Sequence, residues 1–199
     1  MKAEMIFVDV DTQVDFMLPT GKLYVTGAEQ LIPNLAKLMT WAREHNIPVL
    51  STADAHTPDD PEFAQWPPHC VVGTPGQRRI PETQSPDAVI VPNRPDAFVP
   101  GTTWPSQIII EKPDYFSTTN PNFETILKAL GPRRFVVFGV ATEYCVQADA
   151  LALRQRGLTV DLVTDAIKPI TEKGGRKAIE AMVAAGVRLV TIADVCQTR

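Results

Sequence analysis

Short runs of Val and Ile alternate along the chain with longer stretches whose apolar positions recur every three or four residues. The first kind reads as strand and the second as amphipathic helix. Met5-Ile6-Phe7-Val8-Asp9-Val10-Asp11 is a strand that ends in an acid. Residues 28–45 form a helix with Leu31, Leu35, Leu38 and Ala42 on one face, and Pro33 fits only in its first turns. A second strand, 48–53, ends at Asp54, and residues 107–111 form a third. Residues 121–130 read as a short helix stopped by Gly131-Pro132. The fourth strand, 135–140, is an unbroken apolar run, which predicts burial on both faces. A helix over 143–156 closes at Gly157, a fifth strand covers 159–163, a helix over 174–185 closes at Gly186, and a sixth strand covers 188–192.

This alternation predicts an α/β fold with right-handed crossovers and a parallel sheet covered by helices on both faces. Residues 55–106 break the pattern. Of the 18 prolines, 12 lie between Pro58 and Pro113. The stretch predicts ordered loops with one short strand near 87–91, and a long ordered loop region in a compact domain usually serves a site. We read it as the wall and lid of one.

Composition narrows the classes. At 199 residues, residues 1–199 are expected to form one domain, and a 44% hydrophobic content supports a sizeable core. The formal net charge is -4 and no Lys/Arg block appears, so nothing favours nucleic acid or an anionic membrane as partner. No apolar stretch approaches the ~20 residues that span a bilayer. The N-terminal residues run straight into a strand without a signal-peptide layout. The cysteines are Cys70, Cys145 and Cys196, an odd number without paired spacing, which argues against a disulfide framework. The cytoplasm is the expected compartment.

Ligands of a parallel α/β sheet bind beyond the carboxyl ends of its strands. Asp11 closes the first strand, Asp54 and His56 follow the second, Lys112 the third and Cys145 the fourth, so four segments converge on one rim. Cys145 falls in the first turn of a predicted helix, where the partial positive charge favours a thiolate and free backbone N–H groups of 141–145 can hold an oxyanion. A lone cysteine is commonly inert packing; the position past a strand end turns the reading, whereas Cys196 reads as packing and Cys70 stays open. Asp9 and Asp15 compete with Asp11, but Asp11 lies nearest the strand end and Asp15 reads as loop-fixing. On charge alone Lys112 is a surface lysine. Asp54-Ala55-His56, with His69, can bind a divalent metal through two imidazoles and a carboxylate; alternatively His56 or His69 is the base of a Cys–His dyad. His45 reads as solvated at a helix end.

Asp11-Thr12-Gln13-Val14-Asp15-Phe16 resembles the opening of the isochorismatase-like cysteine hydrolases, and Gly139-Val140-Ala141-Thr142-Glu143-Tyr144-Cys145-Val146 resembles their nucleophile motif. Within that superfamily, Thr52-Ala53-Asp54-Ala55-His56 and Trp66-Pro67-Pro68-His69-Cys70 look like the metal-binding segments of the nicotinamidases; isochorismatase itself works without this metal site. The resemblance implies a three-layer α/β/α sandwich with a six-stranded, mainly parallel sheet of order 321456, in which Lys112 reaches inward from an outer strand. It implies a catalytic trio of Asp11, Lys112 and Cys145 in place of the dyad. It implies an oxyanion hole from the backbone N–H groups of Ala141 and Cys145, and a cis Val140–Ala141 bond. Asp54, His56 and His69 would hold a divalent metal, zinc first, with manganese or iron as alternatives, and Glu62 would reach it through water. Phe16, Trp66 and Tyr115 would wall the substrate ring; a Pro-rich loop is a poor place for a core tryptophan. The implied reaction is nicotinamide to nicotinate and ammonia through a Cys145 thioester, the implied partner a small amide, and self-association is expected. The loops 57–65 and 74–106 depart from the pattern. The rival readings are an amidohydrolase of carbamoyl or ureido compounds and a non-catalytic small-molecule-binding member.

Overall fold

A computed structural model describes residues 4–101, 105–131 and 133–197. In chain order the strands are β1 (Met5–Val10), β2 (Val49–Asp54), β3 (Val89–Val91), β4 (Gln107–Lys112), β5 (Arg134–Val140), β6 (Thr159–Lys168) and β7 (Arg188–Val190). The α-helices are α1 (Val14–Met17), α2 (Ile32–Glu44), α3 (Phe123–Leu130), α4 (Gln147–Gln155), α5 (Glu172–Ala184) and α6 (Ile192–Cys196).

All strand pairings are parallel and the sheet runs β3-β4-β2-β1-β5-β6-β7. The expected six strands keep their relative order, but the sheet has seven. The added strand is β3, the short run near 87–91 that the sequence suggested without placing it in the sheet. Three residues of it pair with Ile108–Ile110, and two of the three stay exposed at the sheet edge. Lys112 is therefore not on the outermost strand. β3 shields β4, and Lys112 sits in register beside Asp54.

Alternation along the strands sends side chains to two packed layers. Ile6, Val8, Val10, Phe135, Val137, Val160 and Leu162 face α3, α4 and α5 through Ile126, Ala150, Leu153, Ala178 and Met182. Phe7, Val49, Val136, Phe138 and Val163 face the other side, where α2 contributes Leu35, Leu38, Met39 and Ala42 and α6 contributes Val195. These α2 positions follow the i, i+3, i+4, i+7 spacing of a core-facing stripe. Pro33 lies in its first turn. The expected helix over 143–156 is interrupted. Thr142–Val146 is a wide turn in which Tyr144 leaves helical geometry (φ -120°, ψ -105°), and α4 begins only at Gln147. The last strand stops at Val190 because Thr191 caps α6, reciprocally with Asp194.

Gly139 sets how closely β1 and β5 approach at their carboxyl ends. Its φ is +120°, and a Cβ there would overlap the carbonyl oxygen of Val10, the residue before Asp11. Gly139→Ala is expected to destabilise by roughly 2–6 kcal/mol, an overpacking penalty and a backbone penalty of ~1–3 kcal/mol each. Chemical denaturation of the variant checks this; wild-type stability would contradict it.

Candidate active site

The order reverses at β1, so Asp11 after β1 and Cys145 after β5 emerge side by side at the switch point of the sheet. Asp11 is buried and adopts φ +48°, a conformation uncommon outside glycine and typical of sites where the fold dictates geometry. Its Oδ1 accepts a 2.6 Å hydrogen bond from Thr52 Oγ1. Lys112 is 0% exposed. Its Nζ lies 2.8 Å from Asp11 Oδ2 and 3.6 Å from Cys145 Sγ, donates at 2.9 Å to the Asp114 carbonyl, and is ion-paired with Asp54 Oδ1. A carboxylate oxygen of Asp11, one of Asp54 and the Cys145 sulfur all lie within 4.8 Å of one another. The surface lysine that charge alone suggests is thus a buried cation between two acids. Burial opposes its charge, but Asp11 and Asp54 outweigh burial and push the ammonium well above its ordinary range.

Around the sulfur, the pull toward a thiolate that a helix N-terminus exerts is opposed by burial and by two carboxyl groups. Burial pushes the Cys145 thiol well up, Lys112 opposes, and Asp11 and Asp54 add to the rise. The turn at Thr142–Val146 also keeps Cys145 ahead of the regular helix, so the helix field is only part of its surroundings. Burial likewise raises the Asp11 carboxyl against the pull of Lys112. The pair sets a thiol beside a carboxyl, each pushed up by burial, an arrangement suited to proton transfer within the site. The Val140–Ala141 bond is cis, as the resemblance implies.

Asp54 joins this cluster to a second one. Its Oδ2 lies 3.6 Å from both His56 Nε2 and His69 Nε2. The Nδ1 atoms face away, His56 Nδ1 toward Asp60 Oδ2 at 3.0 Å and His69 Nδ1 toward the Pro67 carbonyl at 2.8 Å. His56 Nε2 is buried with no hydrogen-bond partner among the described residues. Burial disfavours a charged His56, yet Asp54, Asp60 and Glu62 push its pKa up to about 9. Burial also disfavours the Asp54 carboxylate, and Lys112, His56 and His69 hold it well below the usual carboxylate range. Two imidazoles whose Nε2 atoms meet one carboxylate, with both His56 ring nitrogens buried and without a hydrogen-bond partner among the described residues, fit a divalent metal. Asp54, His56 and His69 are the residues that would hold it. Glu62 lies beside the trio, its carboxylate grouped with His56 and Asp60 within 4.8 Å of one another.

Both clusters open on one cavity. Cys145, Ala141, Asp54, Glu62 and His69 line it, together with Phe16, Trp66 and Tyr115. Phe16 lies 5.4 Å from the His69 ring, centroid to centroid. Trp66 Nε1 donates to Tyr115 Oη at 2.6 Å. Tyr144 completes this wall, its ring 5.4 Å from those of both Trp66 and Tyr115. Sequence reading missed it, although its place next to Cys145 was a usable signal. From the Pro-rich region, Glu62, Trp66 and His69 reach the cavity.

Polar residues around these clusters hold the site in place. Gln13 Nε2 donates to the Asp54 carbonyl at 2.9 Å while its Oε1 accepts from Asp54 N at 2.7 Å, pinning the end of β2. Asp15 Oδ2 accepts from Cys70 N at 2.7 Å and fixes the loop carrying His69, so its loop-fixing reading has a definite target. Arg79 pairs with Asp9 and donates at 2.8 Å to the Thr52 carbonyl, which commits Asp9 to structure. Cys70 is buried, and burial raises its thiol well above the ordinary range. Cys196 is half-buried against the second core layer. His45 stacks on Trp41, ring centroids 3.6 Å apart.

The isochorismatase domain family model matches residues 5–194. The chain belongs to the isochorismatase family. A nicotinamidase/pyrazinamidase of Mycobacterium tuberculosis is 30% identical over 190 residues, covering 91% of this chain and 95% of that protein. A ureidoacrylate amidohydrolase of Azorhizobium caulinodans is 27% identical over 186 residues, covering 83% and 78%. The solved pyrazinamidase of Pyrococcus horikoshii in complex with zinc superposes with a TM-score of 0.80 at 29% identity, covering 95% of this chain and 99% of that one. Among the described residues of this family member, no helix is long and apolar enough to cross a membrane.

Proposed function

We propose that this isochorismatase-family protein is a metal-assisted cysteine amidohydrolase that converts nicotinamide to nicotinate and ammonia. The observation that carries the reading is a single aromatic-walled cavity onto which both the Cys145 sulfur and the Asp54–His69 side of the metal trio open. The names of the 30% identical M. tuberculosis relative and of the P. horikoshii structure with zinc support it. Zinc is the ion we assign to the trio. When bound, it supplies a Lewis-acidic anchor for a heteroaromatic nitrogen.

Cys145 Sγ gives its proton to Asp11 and attacks the carboxamide carbon, while the N–H groups of Ala141 and Cys145 receive the oxyanion. Asp11 returns the proton to the leaving nitrogen, the C–N bond breaks, ammonia departs and a thioester remains. Asp11 then takes a proton from water, the resulting hydroxide attacks the thioester, and the acid leaves as Sγ regains a proton. Lys112, locked beside both groups, stabilises the anionic stages.

Purified protein loaded with zinc is expected to release ammonia from nicotinamide. Chelation, or His69→Ala, is expected to raise KM by about 10–100-fold and to lower bound metal by elemental analysis. Normal turnover by metal-free protein would remove the trio from the reaction. The second reading, hydrolysis of a carbamoyl or ureido amide, rests on the 27% identical ureidoacrylate amidohydrolase. Inactivity on nicotinamide with turnover of such a compound would select it. A non-catalytic binding member would show ligand binding without ammonia release from any amide.

A further inference from the structure

A carboxyl group stands behind the reacting atoms with no part in the chemistry above. Asp149 lies in the first turn of α4, four residues after Cys145, and is buried. Its Oδ1 accepts two hydrogen bonds from Ser117, at 3.1 Å from the backbone N and 2.7 Å from Oγ. Its Oδ2 is buried with no hydrogen-bond partner among the described residues. Burial pushes the carboxyl up to about 7, with Lys112 and the Ser117 hydroxyl working against the rise. A buried, half-satisfied acid is costly and calls for a compensating role.

What Ser117 terminates explains the contact. The segment 114–117 follows the end of β4 at Lys112, with Pro113 between them. Its first residue, Asp114, supplies the carbonyl that accepts from Lys112 Nζ at 2.9 Å. Its second, Tyr115, lines the cavity and receives the Trp66 hydrogen bond at 2.6 Å. One end of this segment thus grips the catalytic ammonium, the middle forms the substrate wall, and the far end is tied to the helix that follows the nucleophile.

We propose that Asp149 is a positioning residue that, through Ser117, fixes the 114–117 segment and so sets both the Tyr115–Trp66 wall and the seat of Lys112 beside Cys145. Both Ser117 contacts use Oδ1 as acceptor, so the side-chain amide in Asp149→Asn retains them and the methyl group in Asp149→Ala does not. The substrate arm of the test rests on the amidase reading; the thiol arm does not.

The experiment compares Asp149→Asn, Asp149→Ala and Ser117→Ala in the full-length, zinc-loaded protein, with Leu153→Ala as a control that loses core packing on the same helix. Steady-state KM and kcat are measured with nicotinamide, and the rate of Cys145 alkylation by iodoacetamide is followed across pH by peptide mass spectrometry. For Asp149→Ala, KM is expected to rise about tenfold with kcat falling less than about threefold. The alkylation midpoint is expected to move up by about one pH unit as Lys112 loosens from the sulfur. Ser117→Ala moves both readouts in the same direction by a smaller factor, and it carries the test if Asp149→Ala does not fold. Asp149→Asn stays within about twofold of wild type, and Leu153→Ala lowers stability without moving either readout. Wild-type KM and alkylation in both alanine variants, or damage by Asp149→Asn equal to that by Asp149→Ala, would overturn the proposal. If the unmodified protein does not turn over nicotinamide, the substrate reading fails and the alkylation arm alone decides the role of Asp149.

Discussion

Cys145→Ala is expected to lower turnover by about 10⁴-fold or more while leaving the fold intact, and Asp11→Asn to lower it by about 10²–10⁴-fold. The first follows from removing the cysteine sulfur that lines the cavity; the small side chain leaves the packing around residue 145 nearly unchanged. The second separates two roles that are easily confused. The Asp11 charge raises the Cys145 thiol, so neutralising it lets the thiol ionise at lower pH. Alkylation of Cys145 in Asp11→Asn should therefore shift to lower pH even as turnover collapses. A loss of turnover with a more readily ionised thiol means that the missing function is proton transfer to and from the reacting groups, not thiolate formation. Ammonia release and alkylation profiles on the same preparations check both statements, and near-wild-type turnover by Asp11→Asn would dismiss it as the base.

Lys112→Met should cost stability as well as activity. The ammonium is buried between Asp11 and Asp54, and methionine keeps the volume while removing the charge. Removing one partner of a buried pair leaves an uncompensated charge and typically costs about 3–5 kcal/mol. For a chain of this size that is a fall in Tm of about 6–20 °C. The pH dependence has a definite sign. Without Lys112 both carboxyls lose a group that lowers them, and Asp11, already raised by burial, binds its proton still more tightly than in the unfolded chain. An acid whose folded pKa is raised costs stability progressively as pH climbs from its unfolded pKa to its folded pKa, and the cost is relieved on acidification. The gap between variant and wild type should accordingly be widest near pH 8 and narrow toward pH 5. Denaturation curves at the two pH values give the answer, and a gap that widens on acidification would contradict the buried-pair account. A similar Lys112→Arg loss would follow from geometry, since a planar fork does not replace a point charge seated among Asp11, Asp54 and Cys145.

These expectations also show how the opening motif works. Asp11 faces the sulfur, Gln13 clamps the backbone of Asp54, Asp15 holds the loop of His69, and Phe16 packs on the His69 ring. One short segment after β1 therefore arranges both the nucleophile's partner and the metal trio. Motif spacing identified the segment, but only contacts across the fold distinguish which acid touches the sulfur and which holds a loop.

The residues alone determined the alternation of strand and helix, the parallel α/β class, and the placement of Asp11, Asp54, Lys112 and Cys145 at strand ends. Each of these is carried by local periodicity or by a motif whose residues lie close together in the chain. Tertiary structure decided the rest. It placed β3 in the sheet, because a short run predicted near 87–91 does not by itself name its pairing partner, which is Ile108–Ile110. It turned Lys112 from a surface charge into a buried cation, because its partners lie 33 and 58 residues away at Cys145 and Asp54. It buried the Cys145 thiol, which pushes it up, and it recruited Tyr144 and Asp149. Desolvation and Coulomb interaction depend on depth and on distances in space, and neither quantity is encoded in the separation of residues along a chain.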